Sequence, residues 1–182
     1  MDKALYDVVS SKTIKASRFE IVEDKLKIDG RDAKYSFVKI RPGICVIVET
    51  PDGFVLLKEY RYPIKSWTYE FTAGCIDEGE SPEEAARREI QEETGYIADE
   101  IICLGDFYPS FGPTDEKITL FCANCNERTE TKKEYTEFIT HELVSGERIE
   151  ELIMSGEFKH GAGLAAWLKY RLYRQRMADR PY

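Results

Sequence analysis

The chain has 182 residues, of which 42% are hydrophobic and 33% are charged, and its formal net charge at pH 7 is −8. This length predicts one domain, or one domain with a small extension, and the apolar share is sufficient for a hydrophobic core. The acidic balance, without a basic patch, argues against nucleic acid as a main partner. An anionic substrate would require a metal ion or local arginines to offset the charge repulsion.

The N-terminal segment and the cysteines indicate the cellular compartment of the protein. Residues 1–15 contain no apolar segment typical of a signal peptide, and no apolar run approaches membrane-spanning length. The five cysteines are an odd number spread through strand-like segments, which predicts reduced and buried thiols. Cys122 and Cys125 form a Cys-x2-Cys pair, but no second cysteine pair accompanies it, so zinc is not expected. The sequence therefore predicts a cytoplasmic protein with no membrane partner.

The first forty residues predict a small antiparallel β extension. Apolar and charged residues alternate in three strand-like segments, at 18–22, 25–28 and 34–40. Asp29-Gly30 is a typical turn between the second and third segments. Because such a unit is barely stable alone, it must pack against something. We expect residues 1–41 to form this extension and residues 42–182 to form the main domain.

The sequence of the main domain predicts strands and helices in mixed order. Its strand-like segments lie at residues 43–49, 54–60, 67–71, 100–108, 117–123 and 136–143. A turn at 51–53 makes the first two a hairpin. Helices are predicted at 147–154 and 163–177 from their apolar period, and another begins after Ser81. This order predicts an α+β fold in which helices lie on both faces of a mixed sheet.

The helix after Ser81 has clear start and stop signals. Ser81 is a typical N-cap, Pro82 suits the first helical position, and two glutamates follow in the first turn. Gly95 is a natural C-terminal stop, and the residues between are mostly good helix formers. These signals predict a helix from Pro82 to just before Gly95.

Three glutamates of that helix share one face. Glu89, Glu92 and Glu93 stand at i, i+3 and i+4. Their repulsion is tolerable if a divalent cation lies among them, and hard carboxylate oxygens favour Mg²⁺ or Mn²⁺. Arg88 could orient one of these carboxylates. The alternative interpretation is a solvated acidic helix face, which does not explain the fixed positions of the flanking residues.

The segment 74–96, GCIDEGESPEEAARREIQEETGY, resembles the Nudix box, Gly-x5-Glu-x7-Arg-Glu-U-x-Glu-Glu-x-Gly-U, where U is a bulky aliphatic residue. Every glycine and charged position matches: Gly74, Glu80, Arg88, Glu89, Glu92, Glu93 and Gly95. Tyr96 departs from the pattern at the last U position. The resemblance implies a Nudix-type α/β/α sandwich and metal-dependent hydrolysis of a nucleoside diphosphate linked to another group.

Segments outside the box resemble the ADP-ribose pyrophosphatase branch of that family. They are residues 59–63, residues 70–74 and the loop 108–116. The branch implies hydrolysis of ADP-ribose to AMP and ribose 5-phosphate by a homodimer that exchanges its N-terminal extension. Thr72 replaces the usual proline and Phe111 stands at the proline that marks the branch, which keeps GDP-mannose or UDP-glucose as alternative substrates. A sensor that binds nucleotide sugars without hydrolysis is the alternative of another class.

The resemblance also implies roles for individual residues. Metal ligands are expected to be the Ala73 carbonyl, Glu89 and Glu93, with Glu92 as a further ligand or a base. Glu80, Arg88, Gly74 and Gly95 are expected to maintain the structure of the motif. The catalytic base is expected to be Glu134 or Glu137, from a loop before the last strand. Substrate contacts are expected from Arg61, Glu70, Gly74, Phe111 and Glu116, where Phe111 either stacks on a base or only packs.

Overall fold

A computed structural model of the chain describes residues 5–17, 19–131 and 139–179. The described chain divides into two compact units. The first contains the residues up to Arg41 and the loop Tyr108–Lys117, and the second contains Pro42–Phe107 and the residues from Ile118 onwards. No helix in the described ranges is both long enough and apolar enough to cross a membrane.

The first unit contains an antiparallel sheet. Its strands, as far as the chain is described, are β1 (Asp7–Ala16), β2 (Phe19–Ile28) and β3 (Arg31–Lys39), in the order β1-β2-β3. Asp29 and Gly30 join β2 to β3 with φ of 50° and 77°, as a tight hairpin requires. The prediction of separate strands at 18–22 and 25–28 is wrong, because β2 is continuous. β1 was not predicted, since all its residues are exposed and no buried face imposes alternation.

The loop Tyr108–Lys117 belongs to this first unit through hydrogen bonds to β3 and its end. The Tyr35 hydroxyl donates to the Gly112 carbonyl at 2.7 Å. The Ile40 amide donates to the Asp115 carboxylate at 2.8 Å. A loop that is far from β3 in sequence is therefore held by backbone and side-chain bonds, which residue patterns alone do not reveal.

The second unit is built on a mixed sheet. The described strands are β4 (Gly43–Thr50), β5 (Gly53–Arg61), β6 (Ser66–Glu70), β7 (Thr72–Cys75), β8 (Tyr96–Phe107), β9 (Ile118–Arg128) and β10 (Ile139–Val144). Their order is β10-β5-β4-β9-β8, with β6 paired to β5 and β7 paired to β4. β4 and β9 are parallel and the other pairs are antiparallel.

Helices cover both faces of this sheet. They are α1 (Pro82–Thr94), α2 (Gly146–Ser155) and α3 (Gly161–Ala178). Along β4, Ile44 and Val46 join a core cluster with Ile90 of α1. The alternate residues Cys45 and Ile47 join a second cluster, which contains residues of α2 and α3. The period of two along the strand thus supplies two cores, and the predicted α+β sandwich is confirmed.

The cysteines follow the same alternation. Cys122 and Cys125 lie three residues apart on β9 and belong to the clusters on opposite faces. Burial raises the pKa of the Cys122 thiol to about 11 and that of Cys125 to about 12. The prediction that all five thiols are buried is wrong for Cys75 and Cys103, which are exposed. Cys75 ends β7, and Cys103 lies on β8 at the edge of the sheet.

Candidate functional site

The helix α1 is fixed at both ends by its own sequence. The Ser81 hydroxyl accepts from the Glu84 amide at 3.2 Å, while the Glu84 carboxylate accepts from the Ser81 amide at 2.8 Å. This reciprocal capping box satisfies two amides that the helix leaves unpaired. At the other end Gly95 has a φ of 76° and donates to the Gln91 carbonyl. A side chain at Gly95 would place its Cβ 2.5 Å from the Thr129 carbonyl oxygen, so glycine is required there.

Arg88 is the centre of a network of carboxylates. Its Nε and Nη2 atoms donate to the two oxygens of Glu80, at 2.9 and 3.0 Å. Its Nη1 atom donates to Glu89 at 2.7 Å and to Glu92 at 3.1 Å. Nη2 also donates to the Cys75 carbonyl at 3.0 Å. One guanidinium therefore ties the loop before α1, the end of β7 and the acidic face of the helix together.

Glu80 supports the same loop. Its Oε2 atom accepts from the Asp77 amide at 3.0 Å, in addition to the bond from Arg88. The hydrogen bonds from Arg88 hold the pKa of Glu80 below its usual value. The carboxylate is consequently ionised at neutral pH, where it pairs with the arginine.

Gly74 lets Glu89 approach the backbone of β7. A Cβ at Gly74 would lie 1.9 Å from Glu89 Oε1 and 2.8 Å from its Cγ, so any side chain there would displace the Glu89 carboxylate from its position. The Glu89 side chain is 14% exposed, so its carboxylate is packed against the strand. The first glycine of the motif is therefore explained by space for a glutamate fifteen positions later in the chain.

A second charged group lies on β5 and β6. The Arg61 guanidinium donates through Nε to Glu70 at 2.8 Å, with a second bond through Nη2, and it pairs with Glu59 at 3.0 Å. The Glu70 side chain is only 3% exposed. The hydrogen bond to Glu70 is the main cause that raises the pKa of Arg61. Arg61, predicted to contact phosphate, thus has two carboxylate partners in this structure.

The negative charge of Glu93 interacts with the charged group formed by Arg61, Glu59 and Glu70. Glu93 is 5% exposed on α1. Its negative charge contributes to the raised pKa of Arg61, after the contributions of Glu70 and Glu59. It also contributes, after burial, to the raised pKa of the Cys45 thiol, as does Glu70. The buried carboxylates of α1 and β6 therefore act on the same region of the second unit.

The other predicted site residues are distributed as follows. Ala73 lies on β7 and pairs with Cys45 of β4. Phe111 and Glu116 lie in the loop of the first unit; Phe111 is 84% exposed, and burial raises the pKa of Glu116. Glu134 and Glu137 lie outside the described residues, so the structure says nothing about the proposed base.

Sequence reasoning missed Glu59 and the Cys75 carbonyl as members of the site. Glu59 and Arg61 stand two apart on β5, so they share a strand face, and this spacing was a usable signal. The Cys75 carbonyl could not be found from residue types, because it is a backbone atom placed by the end of β7.

The described part of the chain contains no group of three or more His, Cys, Asp or Glu side chains that could hold a metal ion as placed. In the box, Arg88 Nη1 lies between the carboxylates of Glu89 and Glu92. The expected ligands are nevertheless chemically suited to a hard cation, because they are the carboxylate oxygens of the box glutamates and a backbone carbonyl oxygen of β7. The bonds from Arg88 use one oxygen of each carboxylate, Oε1 of Glu89 and Oε2 of Glu92, so they do not by themselves prevent either glutamate from ligating a cation.

Comparisons with known proteins identify relatives. A family model described as NUDIX domain matches residues 39–165. An ADP-ribose pyrophosphatase from Bacillus subtilis (strain 168) is 35% identical over 117 residues, which are 64% of this chain and 63% of that protein. An ADP-sugar pyrophosphatase from Mus musculus is 51% identical over 49 residues, 27% of this chain and 22% of that protein. The chain thus spans less than two thirds of the length of either relative.

A solved structure has the same fold. The crystal structure of an ADP compounds hydrolase resembles this chain with a TM-score of 0.85 and 22% sequence identity, covering 98% of this chain and 100% of that chain. At this identity, the likeness shows the fold alone. Because the NUDIX model spans most of the sequence and the motif residues 74–96 fall within it, this chain belongs to the NUDIX family.

Proposed function

We propose that this chain is a Nudix pyrophosphohydrolase that cleaves the pyrophosphate bond of a nucleoside diphosphate sugar. The first candidate substrate is ADP-ribose, which would give AMP and ribose 5-phosphate. The observation that carries the proposal is the order of three box carboxylates, Glu80, Glu89 and Glu92, around Arg88, with the fourth, Glu93, buried on the same helix as Glu89 and Glu92. The names of the Bacillus subtilis and Mus musculus relatives favour an ADP-linked sugar.

The donor chemistry of the site fits a divalent cation, with Mg²⁺ as the first candidate and Mn²⁺ as the second. Glu89, Glu92, Glu93 and the carbonyl of Ala73 would hold it. When bound, the ion would neutralise pyrophosphate charge and lower the pKa of a water molecule. Without such neutralisation, the acidic face of α1 would repel an anionic substrate.

The chain's own residues have separable tasks in this proposal. Arg88 positions Glu89 and Glu92 and keeps the loop that carries Glu80 against the helix. Arg61 would contact a phosphate oxygen, because the planar fork of donors of its guanidinium matches the oxygens of a phosphate. Glu70 fixes the direction of that guanidinium through two hydrogen bonds.

The remaining assignments complete the proposal. Glu134 or Glu137 would take the proton of the attacking water. Phe111 and Glu116 would contact the base and the sugar hydroxyls, and Gly74 would contribute its backbone to the substrate contact. Substitutions at Phe111 are expected to change the preference among substrates more than the turnover of a preferred one.

We also propose a cytoplasmic homodimer joined through the extension 1–41. The apolar side chains of Val8, Val9 and Ile14 on β1 are exposed, as expected of a surface that a second copy covers. Light scattering on the intact chain is expected to give a mass about twice 21.0 kDa. A monomeric mass at assay concentration would contradict this part of the proposal.

The test is phosphate release, coupled to a phosphatase, from ADP-ribose, GDP-mannose and UDP-glucose with Mg²⁺ or Mn²⁺. We expect turnover of ADP-ribose that chelation abolishes. Glu93→Gln is expected to lower kcat by at least about 100-fold, since it removes a charge from the proposed ligand set while keeping shape. Glu147→Gln, on α2, is the matched control and is expected to retain wild-type kcat.

The outcomes separate the alternatives. Preference for GDP-mannose or UDP-glucose would still support a pyrophosphohydrolase. It would attribute the difference in substrate specificity from ADP-ribose hydrolases to the loop that contains Phe111. Binding of nucleotide sugars without metal-dependent turnover by the wild-type chain would refute hydrolysis and favour the sensor.

A further inference from the structure

A groove between α3 and the edge strand β8 has no role in the proposed hydrolysis. Two cavities of about 470 and 260 Å³ lie there, and Tyr173 lines both. The groove is on the sheet face that α3 covers, because Cys122 and Tyr170, which line the larger cavity, belong to the core cluster of α2 and α3. α1 packs in the cluster of the opposite face. The groove is therefore separated from the box glutamates by the sheet.

The smaller cavity is cationic. Lys169 and Arg176 line it, together with Leu104 and Tyr173, and no carboxylate appears among its lining residues in the described chain. Lys169 donates one hydrogen bond, at 2.9 Å, to the Asp106 carbonyl, and an ammonium has three donors. No ion pair joins Arg176 to another described residue. Two cations with donors to spare on one face of the helix, which border the same cavity, suit a phosphate group between them.

The larger cavity offers acceptors and aromatic surface. Asn124 donates to Glu100 at 3.1 Å, which leaves the amide oxygen of Asn124 and a second oxygen of Glu100 as acceptors. Glu49 also lines the cavity, but the Tyr170 hydroxyl, at 2.7 Å, and Arg174 already donate to it. Acceptors beside a tyrosine ring suit a flat heterocycle that carries an amino group.

The two cavities lie side by side along the helix. On α3 the smaller cavity is lined from Lys169 to Arg176 and the larger from Tyr170 to Ala178, so each extends for about 10 to 12 Å at 1.5 Å per residue, and Tyr173 lies between them. On β8, Leu104 lines the cationic cavity and Glu100 lines the acceptor-rich one. A ligand that occupies both cavities has an anion on one side of Tyr173 and an amino-bearing ring on the other, with a compact link between them.

We propose that this groove binds a nucleoside monophosphate whose base has an exocyclic amino group. Its phosphate contacts Lys169 and Arg176, its base lies against Tyr173, and the amino group donates to Glu100 or Asn124. The groove and its ligand stand independently of the proposed hydrolysis, since no residue of the box takes part.

The test uses AMP as the probe on the intact chain, with adenosine and inosine 5′-monophosphate as matched controls. Calorimetry gives the affinities, and backbone amide shifts of ¹⁵N-labelled protein give the place of binding. We expect AMP to shift the amides of Asn124 and Tyr173. Adenosine lacks the phosphate and inosine monophosphate has an oxygen in place of the amino group, so each is expected to bind about tenfold more weakly.

Variants on α3 distinguish the groove from other sites. Arg176→Met is expected to weaken AMP binding about tenfold, because it removes a charged donor to phosphate. Arg171→Met is the control on the same helix, where Arg171 pairs with Glu150 outside the groove. Equal AMP affinity for Arg176→Met and wild type, or shifts confined to residues of the box, would overturn the proposal.

A failure of the proposed hydrolysis remains distinguishable from a failure here. The amide shifts at Asn124 and Tyr173 require no turnover and can be recorded without divalent metal. The same titration of Glu93→Gln is expected to reproduce the wild-type shifts in the groove. Shifts at Asn124 that disappear in Glu93→Gln would assign AMP to the box and refute a separate site.

Discussion

Replacement of Arg88 by lysine tests whether one guanidinium organises the box. Lysine keeps the charge but lacks the fork, so it cannot hold both oxygens of Glu80 and also reach the partners of Nη1. At least two charge-assisted hydrogen bonds are lost. Each is worth about 1 kcal/mol after allowance for the 29% exposure of the Arg88 side chain. We expect Arg88→Lys to lower the free energy of unfolding by about 2 kcal/mol, measured by urea unfolding with linear extrapolation.

Arg87→Lys is the matched control one position earlier. Arg87 pairs with Glu83, and the side chains are 43% and 57% exposed, so the pair is largely screened by solvent. Its remaining bond is to the Ala98 carbonyl. We expect a smaller loss of stability and little change in kcat. If Arg88→Lys costs no more than Arg87→Lys, the reasoning that assigns the order of the box to Arg88 is wrong.

Three further predictions concern the two ends of α1 and the loss of stability at acid pH. Ser81→Ala removes the cap and is expected to cost about 1 kcal/mol in urea unfolding. Gly95→Ala, with a φ of 76° and a Cβ 2.5 Å from the Thr129 carbonyl, is expected to cost more than about 1 kcal/mol, measured as a lower Tm. The hydrogen bonds from Arg88 are the main cause that lowers the pKa of Glu80 in the folded protein. The contribution of ionised Glu80 to the free energy of unfolding is therefore complete above its usual pKa of 4.5, and it is lost as the pH falls through the lower folded pKa. Urea unfolding between neutral and acid pH is expected to show a shallower acid loss for Arg88→Lys than for wild type; equal slopes would contradict the assignment.

The ends of α1 were predictable because their causes are local. A serine hydroxyl can bond only to amides within reach, and glycine alone adopts positive φ at low cost, so Ser81 and Gly95 give the boundaries directly. The helix begins at Pro82 and ends at Thr94, as predicted. The common face of the box glutamates follows from the same helical period.

Strand bounds and cross-strand partners were less predictable, because they depend on distant chain segments. β8 begins at Tyr96 rather than at residue 100, since it pairs with β9 from its first residue. The bond between Arg61 and Glu70 depends on the register of β5 and β6, in which Arg61 is opposite Ser66. Side-chain length, rather than direct pairing, brings that arginine to its carboxylate.

The close approach of β4 and β7 has a consequence for how sequence change affects the motif. A Cβ at Gly43 would lie 2.9 Å from the Gly74 carbonyl oxygen, and a Cβ at Gly74 would overlap the side chain of Glu89. Two backbones and a carboxylate are thus stacked with no side chain as a spacer. A bulkier residue at Gly43, which lies outside the segment 74–96, would displace the Gly74 carbonyl, and Gly74 is in turn in contact with Glu89. A substitution outside the motif is therefore expected to disturb the position of a motif glutamate.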